Sequence, residues 1–107
     1  MEKFIWLASM IFSAAVFAAI GIFALLRKRP MHFWSGTRVS EDEISDIKKY
    51  NRANGIMWLT YSIFFLLAGI LGLFSMTLAS IFLMASLALG LPALIICYTM
   101  IYKKYKK

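Results

Sequence analysis

IMWLTYSIFFLLAGILGLFSMTLASIFLMASLALGLPALIICYTMIY, residues 56–102, runs for 47 positions without an acidic, basic or histidine side chain. As one α-helix at 1.5 Å per residue it would measure about 70 Å. That is more than twice the roughly 30 Å hydrocarbon core of a bilayer. The stretch must fold back, and the polar punctuation that suits a tight turn is Ser75-Met76-Thr77. Each arm, 56–74 and 78–102, is long enough to span alone, which favours a spanning hairpin over a re-entrant one.

Upstream lies another such run, FIWLASMIFSAAVFAAIGIFALL, residues 4–26, with only Ser9 and Ser13 polar. Its 23 residues would rise about 35 Å as a helix, again enough to span. A secretory signal peptide carries its basic residues before a shorter apolar core. Here Arg27, Lys28 and Arg29 follow the run, and only Lys3 precedes it. The run reads as a retained span that stops at the basic cluster. The expected fold is a single all-α integral membrane domain over residues 1–107. It has three transmembrane helices (4–26, 56–74 and 78–102), a cytoplasmic loop and surface helix at 27–55, and a basic tail at 103–107.

Composition agrees. A soluble domain is about 45–50% apolar; this chain is 62% apolar, with a mean hydropathy of +0.76. The net charge of +7 does not read as nucleic-acid binding, because the cations lie between and after the apolar runs and no DNA- or RNA-reading motif accompanies them. With three spans, loop and tail share one side, and that side holds eleven of the twelve Lys and Arg residues. Cytoplasmic loops are enriched in Lys and Arg. The chain is therefore expected in the cell membrane, multi-pass, with the loop and C-terminus cytoplasmic and the N-terminus and the 75–77 turn outside. Trp6, Trp34, Trp58, Tyr98, Tyr102 and Tyr105 fall near the predicted interfaces, where amphipathic rings belong.

Pro30 ends the first helix. The loop that follows contains Ser40-Glu41-Asp42-Glu43, which has the form of a capping box: the Ser40 side chain accepts from the third amide, and Glu43 reaches back to the Ser40 amide. Acidic residues come first and Lys48, Lys49 and Arg52 later, the order the helix dipole favours. Ile44 and Ile47 recur at helical spacing. These features predict a short amphipathic helix over 41–54 at the cytoplasmic surface. It either continues into the next span or bends at Asn54-Gly55, a turn-prone pair.

Candidates for chemistry are few. The spans carry no ionisable acid, base or histidine, which argues against a proton-coupled pump. His32 is the only histidine and Cys97 the only cysteine, so neither a metal site nor an internal disulfide is expected. Glu41, Asp42, Glu43 and Asp46 lack the glycine and alternating ligands of a calcium loop. No cofactor and no enzymatic activity are expected. Pro92, after Gly90, should kink the third helix. Small residues at four-residue spacing (Ala14/Ala18, Ala15/Ala19, Ala68/Gly72, Ser86/Gly90) permit close helix approach. That approach serves internal packing or a homo-oligomer equally well.

The segment Phe33-Trp34-Ser35-Gly36-Thr37-Arg38-Val39-Ser40-Glu41-Asp42-Glu43, followed by Lys49-Tyr50-Asn51-Arg52-Ala53-Asn54-Gly55, resembles the signature of the SdpI-type family of small bacterial membrane proteins. It also resembles a group of uncharacterised three-helix bacterial proteins that share this loop. Gly36, Arg38, Ser40, Asp42, Glu43, Asn51, Arg52 and Gly55 occupy the signature places, and with Trp34 they form the candidate cytoplasmic docking motif. The family's Arg-Thr-Pro-Trp stretch is Arg38-Val39-Ser40 here, and its best-known members have further helices. The resemblance implies a non-enzymatic immunity or signalling role, with a secreted peptide toxin or a cytosolic regulator as partner beside the lipid bilayer. From the residues alone, the loop is either a structural cap or a docking site for a partner or a lipid headgroup. The alternative function is a small subunit or homo-oligomeric pore of a transport complex.

Overall fold

Each charge-free run becomes one helix. The computed structural model describes residues 2–31 and 41–107. They form α1 (Glu2–Leu26), a single 3-10 turn (Glu41–Glu43), α2 (Ile47–Phe74) and α3 (Met76–Tyr105). All three long helices are long and apolar enough to cross a membrane. The expected all-α fold is what the chain adopts.

The hairpin between α2 and α3 closes on Ser75 alone. This residue is extended (φ −154°, ψ 113°) and serves both helix ends. Its amide donates to the Leu71 carbonyl at 2.8 Å, and its side-chain oxygen accepts from the Leu78 amide at 3.2 Å. A serine at this place thus satisfies one orphan group of each helix terminus.

α2 is the central helix, with α1 and α3 packed against it. α1 and α2 run antiparallel and approach most closely at Gly21 and Gly55. A Cβ built on either glycine would sit 2.8 Å from the other's carbonyl oxygen. Two backbones can meet this closely only without side chains between them. Toward the other end Met10 faces Gly69, and the Trp6 indole lies over Gly72 while donating to the Ala68 carbonyl at 2.8 Å. Ala14, Ala68 and Gly72 are buried along this seam, whereas Ala15 and Ala19 face outward. The small-residue steps therefore divide, and only some of them serve internal packing.

The central layer is aromatic. Phe17 stacks on Trp58 and Phe65, with ring centroids 5.7 and 4.9 Å apart, and meets Tyr61 edge-on at 5.3 Å. Trp58 is buried in this core, on the face of α2 turned toward α1. Tyr61 reaches the other way: its ring fills the space beside Gly90, and its hydroxyl donates to the Ser86 carbonyl at 3.1 Å. Pro92 lies within α3, which stays helical through it.

The outer surface is apolar on every helix, from Phe4 and Phe12 through Phe74 to Leu89. The hydroxyls of Ser9, Ser13, Thr60, Ser62 and Thr99 each donate to a carbonyl three or four residues earlier in the same helix. Lipid demands this self-sufficiency of polar groups, and the architecture is compatible with a multi-pass membrane protein.

The 27–55 region departs from expectation. Residues 41–54 do not form one helix. The 3-10 turn ends at Glu43, and α2 starts at Ile47 with Asp46 as its cap, the Asp46 carboxylate accepting from the Lys49 amide at 3.1 Å. Residues 47–54 are simply the first two turns of α2, which passes Asn54-Gly55 unbroken. The physical reason lies with Glu43. Its carboxylate accepts from the Tyr102 hydroxyl and its carbonyl accepts from the Lys107 amide, so it is drawn toward α3. Ser40, the other half of the expected box, lies outside the described residues.

Candidate functional site

Those signature residues that the structure describes fall at the polar end of the bundle. α1 ends at Leu26 and leaves carbonyls without helical partners. Asn51, one turn into α2, supplies them. Its Nδ2 donates to the carbonyls of Arg27 (3.1 Å) and Arg29 (2.7 Å), and its Oδ1 accepts from the Met31 amide at 2.7 Å. At 2% exposure this side chain is a buried clamp. It fixes the path of the chain leaving α1 against the start of α2.

Next to it Tyr50, fully buried, donates its hydroxyl proton to the Met31 carbonyl at 2.6 Å. Its oxygen also lies 2.8 Å from the Tyr98 hydroxyl of α3. A phenol has one proton to give. With that proton on the carbonyl, the bond between the two tyrosines uses the Tyr98 proton. Tyr50 thereby ties the α1 exit to α3 through α2. Asn54, with 0% exposure, donates to the Tyr50 carbonyl at 3.0 Å, and its Oδ1 has no partner among the described residues.

A second tie joins the pre-α2 segment to the C-terminus. Ile44 and Lys106 form an antiparallel bridge. The Ser45 amide donates to the Tyr105 carbonyl at 2.6 Å, and the Lys107 amide to the Glu43 carbonyl at 2.8 Å. The Ser45 hydroxyl adds a bond to the Tyr105 carbonyl at 2.9 Å. Beneath this clasp Ala24, Met31, Ile44 and Tyr50 make a second small core, edged by Ile47, Tyr98, Ile101, Tyr102 and Tyr105. The segment before α2 and the tail after α3 therefore occupy the same end of the bundle.

Of the nine candidate docking-motif residues, the structure gathers Glu43, Asn51 and Gly55 into this end: Glu43 at the clasp, Asn51 at the clamp and Gly55 at the α1 crossing. Asp42 and Arg52 are exposed. Trp34, Gly36, Arg38 and Ser40 lie outside the described residues, as does His32. Among the described residues an ion pair joins Lys49 to Asp46 at 4.0 Å. Tyr50 was missed as a functional position. A buried tyrosine beside two asparagines at a helix junction, where a hydroxyl must find a partner, was the available signal.

The site offers hydrogen bonds, cations and aromatic faces. Among the described residues no three His, Cys, Asp or Glu side chains converge to hold a metal ion. No protein-family model, no curated protein and no solved structure matches this chain.

Proposed function

We propose that the chain is a three-span protein of the cell membrane, with residues 27–55 and the tail in the cytoplasm and the N-terminus outside. It acts without catalysis, in the manner of an immunity or signalling protein toward a secreted peptide toxin. The observation that carries this reading is the clasp between residues 43–45 and 105–107. It brings the segment just before α2 and the tail after α3 together at one end of three apolar helices. That arrangement matches the charge asymmetry that orients membrane proteins. The first two turns of α2 carry the exposed cations Lys48, Lys49 and Arg52 at the cytoplasmic surface.

The toxin-related role rests on the resemblance of the loop to SdpI-type proteins. In this reading the exposed pair Asp42 and Arg52 contacts the cytosolic regulator or the toxin, while Asn51, Gly55 and Glu43 hold the cap in shape. The alternative, a pore subunit, draws less support. Phe17, Trp58, Tyr61 and Phe65 fill the middle of a single bundle, so a conduit would have to lie between copies.

The test is genetic. A strain lacking the gene, exposed to peptides secreted by neighbouring cells, should lose protection. The wild-type gene should restore it, and Asp42→Ala or Arg52→Ala should not, although both variants still reach the membrane fraction. Equal survival of deleted and complemented strains across the secreted peptides would overturn the reading.

A further inference from the structure

The geometry points to a binding site for the phosphate headgroup of an anionic phospholipid in the cleft between the end of α1 and the start of α2. This inference rests on the membrane reading above. The cleft, about 430 Å³, is lined by the apolar Leu25, Leu26 and Ile47 and by the cationic Arg27, Lys28 and Lys48. Among the described residues none of these three cations is in an ion pair, since Asp46, the acid closest in sequence to Lys48, is engaged by Lys49.

The cleft holds its cations ready for an anion. Asn51 donates to the Arg27 and Arg29 carbonyls, so neither is bare toward the cleft. Arg27 Nε also donates to the Arg29 carbonyl at 3.1 Å, and its guanidinium lies 5.4 Å from the Phe23 ring centroid. Arg27 is thus braced from two sides. The N-terminus of α2 is already capped by the Asp46 carboxylate, so the attraction for an anion comes from the three cations.

Lipid is favoured over a soluble phosphate by what continues below. Ile22, Phe23, Leu25 and Leu26 are exposed on α1 directly beneath the cations. A phospholipid places acyl chains along such a surface while its phosphodiester meets the basic residues. Basic pockets between transmembrane helices on the cytoplasmic side take anionic headgroups by this combination.

The test uses the full chain purified in mild detergent, offered phosphatidylglycerol and phosphatidylcholine of identical acyl chains, with retained lipid counted by native mass spectrometry. Wild type should retain phosphatidylglycerol preferentially, and the preference should fall as salt rises. Combined Arg27→Gln, Lys28→Gln and Lys48→Gln should reduce it roughly tenfold or more, given the contribution of each cation near anionic lipid. Lys103→Gln, Lys104→Gln and Lys107→Gln remove as many charges from the same end and should leave it nearly intact. Equal loss in both triple variants, or no headgroup preference in wild type, overturns the site while leaving the membrane reading standing. Displacement of the lipid by millimolar inorganic phosphate would assign the cleft to a free anion and also overturn it. Failure to retain either lipid, together with recovery of the protein in the soluble fraction of cells, would instead overturn the membrane reading.

Discussion

Replacing Asn51 by alanine should unfasten the polar end of the bundle. Three hydrogen bonds disappear, but they are not equal. Arg29 is exposed and Arg27 half-buried, so water can replace the lost donor at both carbonyls, and the Arg29 carbonyl keeps its bond from Arg27 Nε. The Met31 amide is different. Met31 is buried, and an amide stranded there costs about 1–3 kcal/mol. Adding a modest net loss for the two carbonyl bonds gives about 2–4 kcal/mol. Reversible unfolding in mixed micelles of mild detergent and dodecyl sulfate would measure it, with hydrogen exchange of the Met31 amide as the local readout. Asn51→Asp sharpens the test. It retains an acceptor for Met31 but turns a carboxylate toward two carbonyls, so it should destabilise at least as much as alanine. If both variants unfold within about 0.5 kcal/mol of wild type and the Met31 amide exchanges at the same rate, the clamp is not what holds α1 to α2.

Further outcomes follow from the packing. Gly55→Ala puts a methyl 2.8 Å from the Gly21 carbonyl and should cost about 1–3 kcal/mol through overpacking. Gly21→Ala should do the same, and the double variant should cost less than the sum, because one separation of the helices relieves both clashes. In the clasp, Tyr102→Phe removes the bond to Glu43; exchange of the Ser45 and Lys107 amides should accelerate by about fivefold, the equivalent of about 1 kcal/mol. Between α2 and α3, Tyr61→Phe keeps the ring and should cost only about 0.6 kcal/mol, the usual size of an interhelical bond in a membrane bundle. Gly90→Val drives a side chain into that ring and should cost clearly more by the same unfolding assay.

Much of the fold was legible because lipid-compatible helices announce themselves. Runs 4–26, 56–74 and 78–102 carry no charge, and each lies within a helix of the structure. Ser75 was legible as the turn because the length of 56–102 demanded a reversal and offered one polar break. The start of α2 was not. Ser40 and Asp46 are both good caps, and the choice between them turns on Glu43, whose partners Tyr102 and Lys107 lie about sixty residues away in sequence. Local spacing carries no trace of such partners. The stacking of Trp58 on Phe17 was not legible for a related reason: the two rings sit on different helices. Asn51 stood out in the sequence only as a signature residue. That Asn51 serves the end of α1, rather than its own helix, depends on an antiparallel register set by Gly21 and Gly55.

The central claim is that three spans leave the pre-α2 segment and the tail on one cytoplasmic face. Single-cysteine accessibility tests it directly, in a Cys97→Ser background with Asp42→Cys, Lys107→Cys or Thr77→Cys added. A membrane-impermeant thiol reagent should label position 77 in intact cells and reach positions 42 and 107 only after permeabilisation. Labelling of 42 and 107 from opposite faces of the membrane would contradict the account.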